Sequence, residues 1–202
     1  MKSFVKSFAA LAFGMMAIAM ASCNKSNDST SNEPRSTFTG DYNASAVVTG
    51  KITGIAFPTA PGNTSIPATI TGFKVTVTAS GDNDLAISAT ITLPAYGTIP
   101  ARPINIANLV ISKEVMNTDA TPQVFYGHIS QQSISITAPD SLGLSNIPLV
   151  GTGKITAPDN SKHDAVFTNN NGTKTLTIGL KSADSWTVGT LVISLATNQP
   201  TN

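Results

Sequence analysis

Few side chains in this 202-residue sequence could do chemistry, and their spacing limits which kind. The two histidines, His128 and His163, lie far apart in the chain. Imidazoles that hold a metal usually come closely spaced or with a carboxylate companion. Asp164 follows His163, but consecutive residues of a strand face opposite sides, so that pair does not converge. Both histidines read as surface polar residues, and no metal site is expected. Beyond residue 37 stand nine carboxylates: Asp41, Asp82, Asp84, Glu114, Asp119, Asp140, Asp159, Asp164 and Asp184. Glycoside hydrolysis needs two that converge in a cleft, whereas most of these fall in expected loops. Asp82 and Asp84 have a calcium-like spacing without the rest of a calcium loop. Serines abound, but there is no nucleophile elbow to activate one. A phosphate-cradling glycine loop and a zinc-type cysteine pair are also missing from the sequence. The expectation is a non-enzyme with no catalytic residue and no cofactor.

Aromatic residues offer a different chemistry. Exposed Trp and Tyr rings stack on sugar rings and apolar ligands. Trp186 in "KSADSWTVG" and Tyr96 in "PAYGT" fall in expected loops, and with Tyr126 they are the candidate ligand-binding residues. The competing reading is that Trp186 plugs one end of the fold, as large aromatics often do.

One cysteine remains, Cys23, in "AMASCNKSNDSTSNEPRS". With no second cysteine it forms no internal disulfide. Upstream, Lys2 and Lys6 precede an apolar run from Phe8 to Ala21, shorter than the ~20 residues that span a bilayer. A short basic region, an apolar core and small residues before a cut describe a secretory signal peptide over residues 1–22. The Ala21-Ser22-Cys23 ending resembles a bacterial lipobox, which implies that Cys23 is acylated after cleavage. More than one chain on that cysteine gives stable anchoring, where one would be marginal. Residues 23–37 lack large apolar side chains and read as a flexible tether. Loss of Lys2 and Lys6 leaves ten basic against eleven acidic side chains, a formal charge of −1. No basic surplus points to nucleic acid.

The elements that must position these residues are strands. Residues 38–202 are enough for one domain with a full core. Charged residues make up only 11% of the chain, and Thr and Ile are frequent. Alternation of period two recurs. "FKVTVTAS" sets Phe73, Val75, Val77 and Ala79 against Lys74, Thr76 and Thr78, and "LAISATITL" sets Leu85, Ile87, Ala89, Ile91 and Leu93 against its hydroxyls. "TKTLTIGL" and "GTLVISL" repeat the pattern. One greasy and one hydroxyl-rich face is the mark of antiparallel strands wet on one side. In "INIANLVIS" the phase slips near Ala107 and Asn108, as a β-bulge would cause. Gly50 and Gly54 suggest a bend or close approach. Asn171-Gly172 suits a two-residue hairpin turn. Prolines, Pro103 and Pro148 among them, fall between strands. The Gly-Lys-Ile-Thr stretches at 50–53 and 153–156 leave both duplication and coincidence open.

These readings give an all-β domain, a single antiparallel meander of about 8–10 strands, closed as a barrel or folded as a two-sheet sandwich. The order "NDLAISATITLP…INIANLVIS…VGTGKITA…TLTIGL", behind a lipobox and a Ser/Asn/Asp tether, resembles the calycin-like β-barrel domain of small Bacteroides-type lipoproteins. The resemblance implies a lipocalin-like barrel and carries over no functional residue. The expected function is a lipid-anchored outer-membrane module, facing the periplasm or the exterior, that binds a small apolar ligand or a glycan. The alternative is a structural subunit of a cell-surface or fimbria-like assembly.

Overall fold

The computed structural model describes residues 34–52, 55–57, 68–94, 101–136, 146–187 and 189–197. The expected signal segment, Cys23 and Tyr96 lie outside the described residues. A 3-10 helix, η1 (Pro34–Phe38), precedes thirteen described strands. They are β1 (Gly40–Ile52), β2 (Ile55–Phe57), β3 (Ala68–Ser80), β4 (Asp84–Leu93), β5 (Arg102–Asn117), β6 (Gln123–His128), β7 (Gln132–Ile136), β8 (Ile147–Gly151), β9 (Ile155–Thr156), β10 (Lys162–His163), β11 (Ala165–Asn170), β12 (Thr173–Ser182) and β13 (Gly189–Thr197). All except β9 and β10 belong to one antiparallel sheet, mostly a meander. Its hydrogen bonds run β1–β3–β4–β5–β6–β11–β12 to β13, and β13 pairs back with β1. This ring curls one sheet on itself instead of stacking two.

The ring falls short of a regular barrel because one wall is split. β5 gives Ser112–Asn117 to β6 but Ile104 and Asn105 to β7. β12 likewise gives Thr173–Ile178 to β11 but Leu180–Ser182 to β8. Two bridges therefore join β5 to β12: β6 with β11 toward one end, β7 with β8 toward the other.

Alternation sends one side chain in two to the interior. Val75, Val77, Leu85, Ile87, Ile91, Leu176, Ile178, Leu180, Leu191, Ile193 and Leu195 are all buried. Each is worth roughly 1.5–3 kcal/mol relative to exposure. Ala79, expected inside, is exposed because β3 ends one residue later at the Gly81 turn. The η1 end is packed by aromatic rings. Phe38 lies 6.0 Å from Phe125, and Phe125 lies 5.7 Å from Phe167. The Tyr42 hydroxyl donates to the Phe38 carbonyl at 2.5 Å, and burial pushes its phenol pKa well above the ordinary value.

Local irregularities follow the sequence signals. Ile87 faces Leu109 but Ala89 faces Ile106, so Ala107 and Asn108 form the bulge. Asn108 has φ 51°, and its N–H is taken by the Ser88 hydroxyl at 3.0 Å. Asn171 and Gly172, with φ 50° and 92°, turn β11 into β12. A Cβ on Gly50 would lie 2.2 Å from the Thr190 carbonyl, the close approach expected there. Pro103 and Pro148 are not between strands: each is the second residue of one, near a strand start where a missing N–H is tolerated. The two Gly-Lys-Ile-Thr stretches do not match in structure. Gly50–Ile52 lies within β1, whereas Gly153, at φ 61°, precedes β9.

Candidate functional site

The split in the wall is closed by one carboxylate. Asp164 sits between β10 and β11 with only 2% of its surface exposed. Its Oδ2 accepts from the Ile129 N–H at 2.8 Å and its Oδ1 from the Gly153 N–H at 2.6 Å. His128 Nδ1 lies 2.7 Å from Oδ2. The main chain of Asp164 is engaged as well: its N–H donates to the Gly127 carbonyl, and its carbonyl accepts from the Gly179 N–H. One residue thus ties the end of β6 to the end of β8 and to β12. A buried charge needs such a set of donors.

Around it, His163 forms a second cluster. The β9–β10 hairpin turns through Asp159 and Asn160, the latter at φ 66°. Asp159 Oδ1 accepts from the Ser161 hydroxyl at 2.5 Å and from the Ser161 N–H at 2.9 Å. Those two bonds, the hydroxyl's the larger, hold its carboxyl below the usual range. His163 Nε2 lies 2.7 Å from Ser161 Oγ, and Nδ1 lies 2.5 Å from Glu114 Oε2 on β5. Its ring lies over Tyr126 at 4.6 Å between centroids.

The reading of both histidines as surface residues is corrected for His163, which is only 5% exposed. His163 and Asp164 do diverge, as consecutive residues should. What the sequence hid is that each finds another partner, Glu114 for the one and His128 for the other. A faint signal was there. Ser161 and His163 share a face at spacing two, and Asp164 opens an otherwise apolar alternation in "HDAVF".

Ser161, His163 and Glu114 have the connectivity of a nucleophile, a base and its orienting acid. The hydroxyl has one proton, however, and the Asp159 carboxylate can only accept. Ser161 therefore gives that proton to Asp159. Its own N–H, the nearest donor for an oxyanion, goes to the same carboxylate. The chain Asp159–Ser161–His163–Glu114 fastens the hairpin to β5. Among the described residues no cluster of three His, Cys, Asp or Glu could hold a metal ion.

Of the aromatic candidates, Tyr126 lies within β6, opposite Val166 and Val115. Its ring is covered by His163. Trp186 follows β12 toward the opposite end, so the fold does not bring these two together. The indole is partly buried and packs against the core. The main-chain N–H of Trp186 donates to the Ala183 carbonyl at 2.9 Å, and the Ala183 N–H to the Pro148 carbonyl at 2.7 Å. The turn that carries Trp186 is thereby pinned to β8. Beside it opens a cleft of about 320 Å³ lined by Lys181–Asp184, Trp186 and Gly189–Val192. Lys181 Nζ stands 3.8 Å from Asp184 Oδ1, with both groups well exposed.

Family models, curated proteins and solved structures give no match to this chain. The functional reading therefore rests on geometry.

Proposed function

We propose that the chain is a membrane-tethered, non-catalytic binding module whose ligand sits in the Trp186 cleft. Cys23 carries the lipid, the residues between it and η1 hold the domain off an outer-membrane surface, and the sheet presents the cleft. The near-closed ring supports the likeness to calycin-like barrel domains. One observation carries the proposal: the single tryptophan of the chain lines a cleft, on a turn pinned by two backbone hydrogen bonds. Binding sites are concave, with aromatic walls and a few placed polar groups. The interior offers no comparable room, since the described inward side chains of the ring are nearly all fully buried.

The test uses that lone indole as its reporter. The lipid-free chain is titrated with panels of lipids and oligosaccharides while Trp186 emission is followed, with calorimetry alongside. A saturable change with some member, clearly weakened in Trp186→Ala by calorimetry, is the expected result. Silence across both panels, or binding that ignores Trp186→Ala, overturns the proposal.

A further inference from the structure

The Trp186 cleft also carries a statement about the class of its ligand. We infer that it takes a neutral carbohydrate, one sugar ring stacked on the indole with its hydroxyls between Lys181 and Asp184; this rests on the binding role just proposed. Three features of the cleft lead there.

The first is the platform. The main-chain N–H of Trp186 is held by the Ala183 carbonyl and the indole packs against the core, so the turn is set and the ring is backed before any ligand arrives. A fixed aromatic face loses little entropy on binding. The face of an indole is electron-rich. A pyranose presents weakly positive C–H bonds on one face, which suits such a platform.

The second is the pair of charges. An ammonium only donates hydrogen bonds and a carboxylate only accepts them. Lys181 and Asp184 therefore ask the ligand for an acceptor and a donor side by side. Neighbouring sugar hydroxyls supply both. A fatty-acid carboxylate supplies acceptors alone, and both it and a phosphate leave Asp184 facing a like charge. Opening the existing contact costs little, because 3.8 Å between two exposed groups is a weak ion pair. The opposed charges balance, so neither an anionic nor a cationic sugar is favoured over a neutral one.

The third is the lack of an apolar trough. The Ser182 hydroxyl, at the floor, is buried and accepts the Leu191 N–H at 3.0 Å. Leu191 itself is 1% exposed. Among the described lining residues Trp186 is then the largest apolar surface the cleft offers. That fits a sugar face and not an acyl chain, which needs enclosure along its length.

Calorimetry on the lipid-free chain tests this with maltohexaose, xylohexaose and mannohexaose as neutral probes, polygalacturonate fragments as charged ones, and oleate as the apolar one. At least one neutral oligosaccharide should bind, and no charged fragment should bind more tightly. Trp186→Ala should weaken binding about tenfold, and Trp186→Phe should recover part of that loss, since a phenyl ring keeps a stacking face. Lys181→Met and Asp184→Asn, both on exposed side chains, should each weaken it several-fold while the melting temperature holds.

Oleate binding through Trp186 with no sugar binding would overturn the ligand class and leave the site standing. Sugar binding indifferent to Trp186, Lys181 and Asp184 would overturn the site. No binding by any probe counts against both.

Discussion

The Asp164 carboxylate occupies the space that a side chain on Gly151 would need. A Cβ built on Gly151 would lie 1.8 Å from Asp164 Cγ and 2.1 Å from each of its oxygens. Gly151 is the last residue of β8, where that strand pairs with Leu180 of β12. Glycine there lets a charge into the wall at the point where the two bridges part. Its φ is unexceptional, so the requirement is one of space.

Gly151→Ala should therefore be among the most damaging of small substitutions. The methyl group must push Asp164 away from Ile129 and Gly153, and overpacking of this kind costs ~1–3 kcal/mol before the lost hydrogen bonds are added. Gly72→Ala is the control: its φ is 75°, but a Cβ there meets nothing within 4 Å. Strain alone should cost it roughly 1–2 kcal/mol. Urea unfolding of both variants measures the difference. Equal losses would mean that the wall yields easily at Gly151.

Removal of the carboxylate should be as harmful. Asp164→Ala leaves the buried Ile129 N–H and the Gly153 N–H without acceptors, a loss of about 2–4 kcal/mol at roughly 1–3 for a buried donor left unsatisfied. Asp164→Asn keeps the shape and one acceptor oxygen and should lose about half as much. Denaturant midpoints at fixed pH read the order. An alanine variant as stable as the parent would show that Asp164 does not hold the split wall.

The hairpin clasp makes a local prediction. Glu114→Gln removes the charged partner of His163 Nδ1 but keeps the side-chain volume. Amide exchange over residues 154–163 should accelerate by about tenfold, as loss of a charge-assisted hydrogen bond would produce. Exchange in β1 and β13, remote from the clasp, should stay unchanged. A uniform acceleration would mean global destabilisation, and no acceleration would mean that the β9–β10 ladder holds the hairpin unaided.

Tyr42 gives the alkaline behaviour. Burial raises its folded pKa above the unfolded value of about 10, so the folded state favours the neutral phenol. The sign follows. Its contribution is complete below about pH 10 and falls as pH rises, because the unfolded chain releases the proton first. Spectroscopic titration should leave one of the three tyrosines un-ionised beyond that pH. Tyr42→Phe should cost ~1 kcal/mol at neutral pH, through the Phe38 carbonyl it leaves unpaired, and should flatten the alkaline decline. Ionisation of all three together at pH 10 would contradict the burial.

Much of this fold can be read directly from residue order. Alternation in "FKVTVTAS" and "LAISATITL" assigns strand and face together, because a side-chain period of two is a local property of extended chain. The Ala107-Asn108 slip and the Asn171-Gly172 turn are legible for the same reason. Each depends on the φ that one or two residues accept. The site was less accessible. Tyr126 and Trp186 look equivalent as aromatics, yet one lies under His163 and the other borders a cleft, a matter of which strands become neighbours.

The split wall could not be read at all. Residues 148–156 and 162–168 each look like one strand, yet Gly153 interrupts the first and Asp164 the second. What breaks them is a carboxylate whose acceptor sites are filled by the N–H groups of Ile129 and Gly153 and whose charge faces His128. None of those partners lies within ten residues of it along the chain. The sequence by itself determined strands, faces and turns, because those are set by neighbours in the chain. Only the tertiary structure decided where the ring divides, that His163 is buried, and which aromatic stays open, because those depend on contacts that exist only once the sheet has closed.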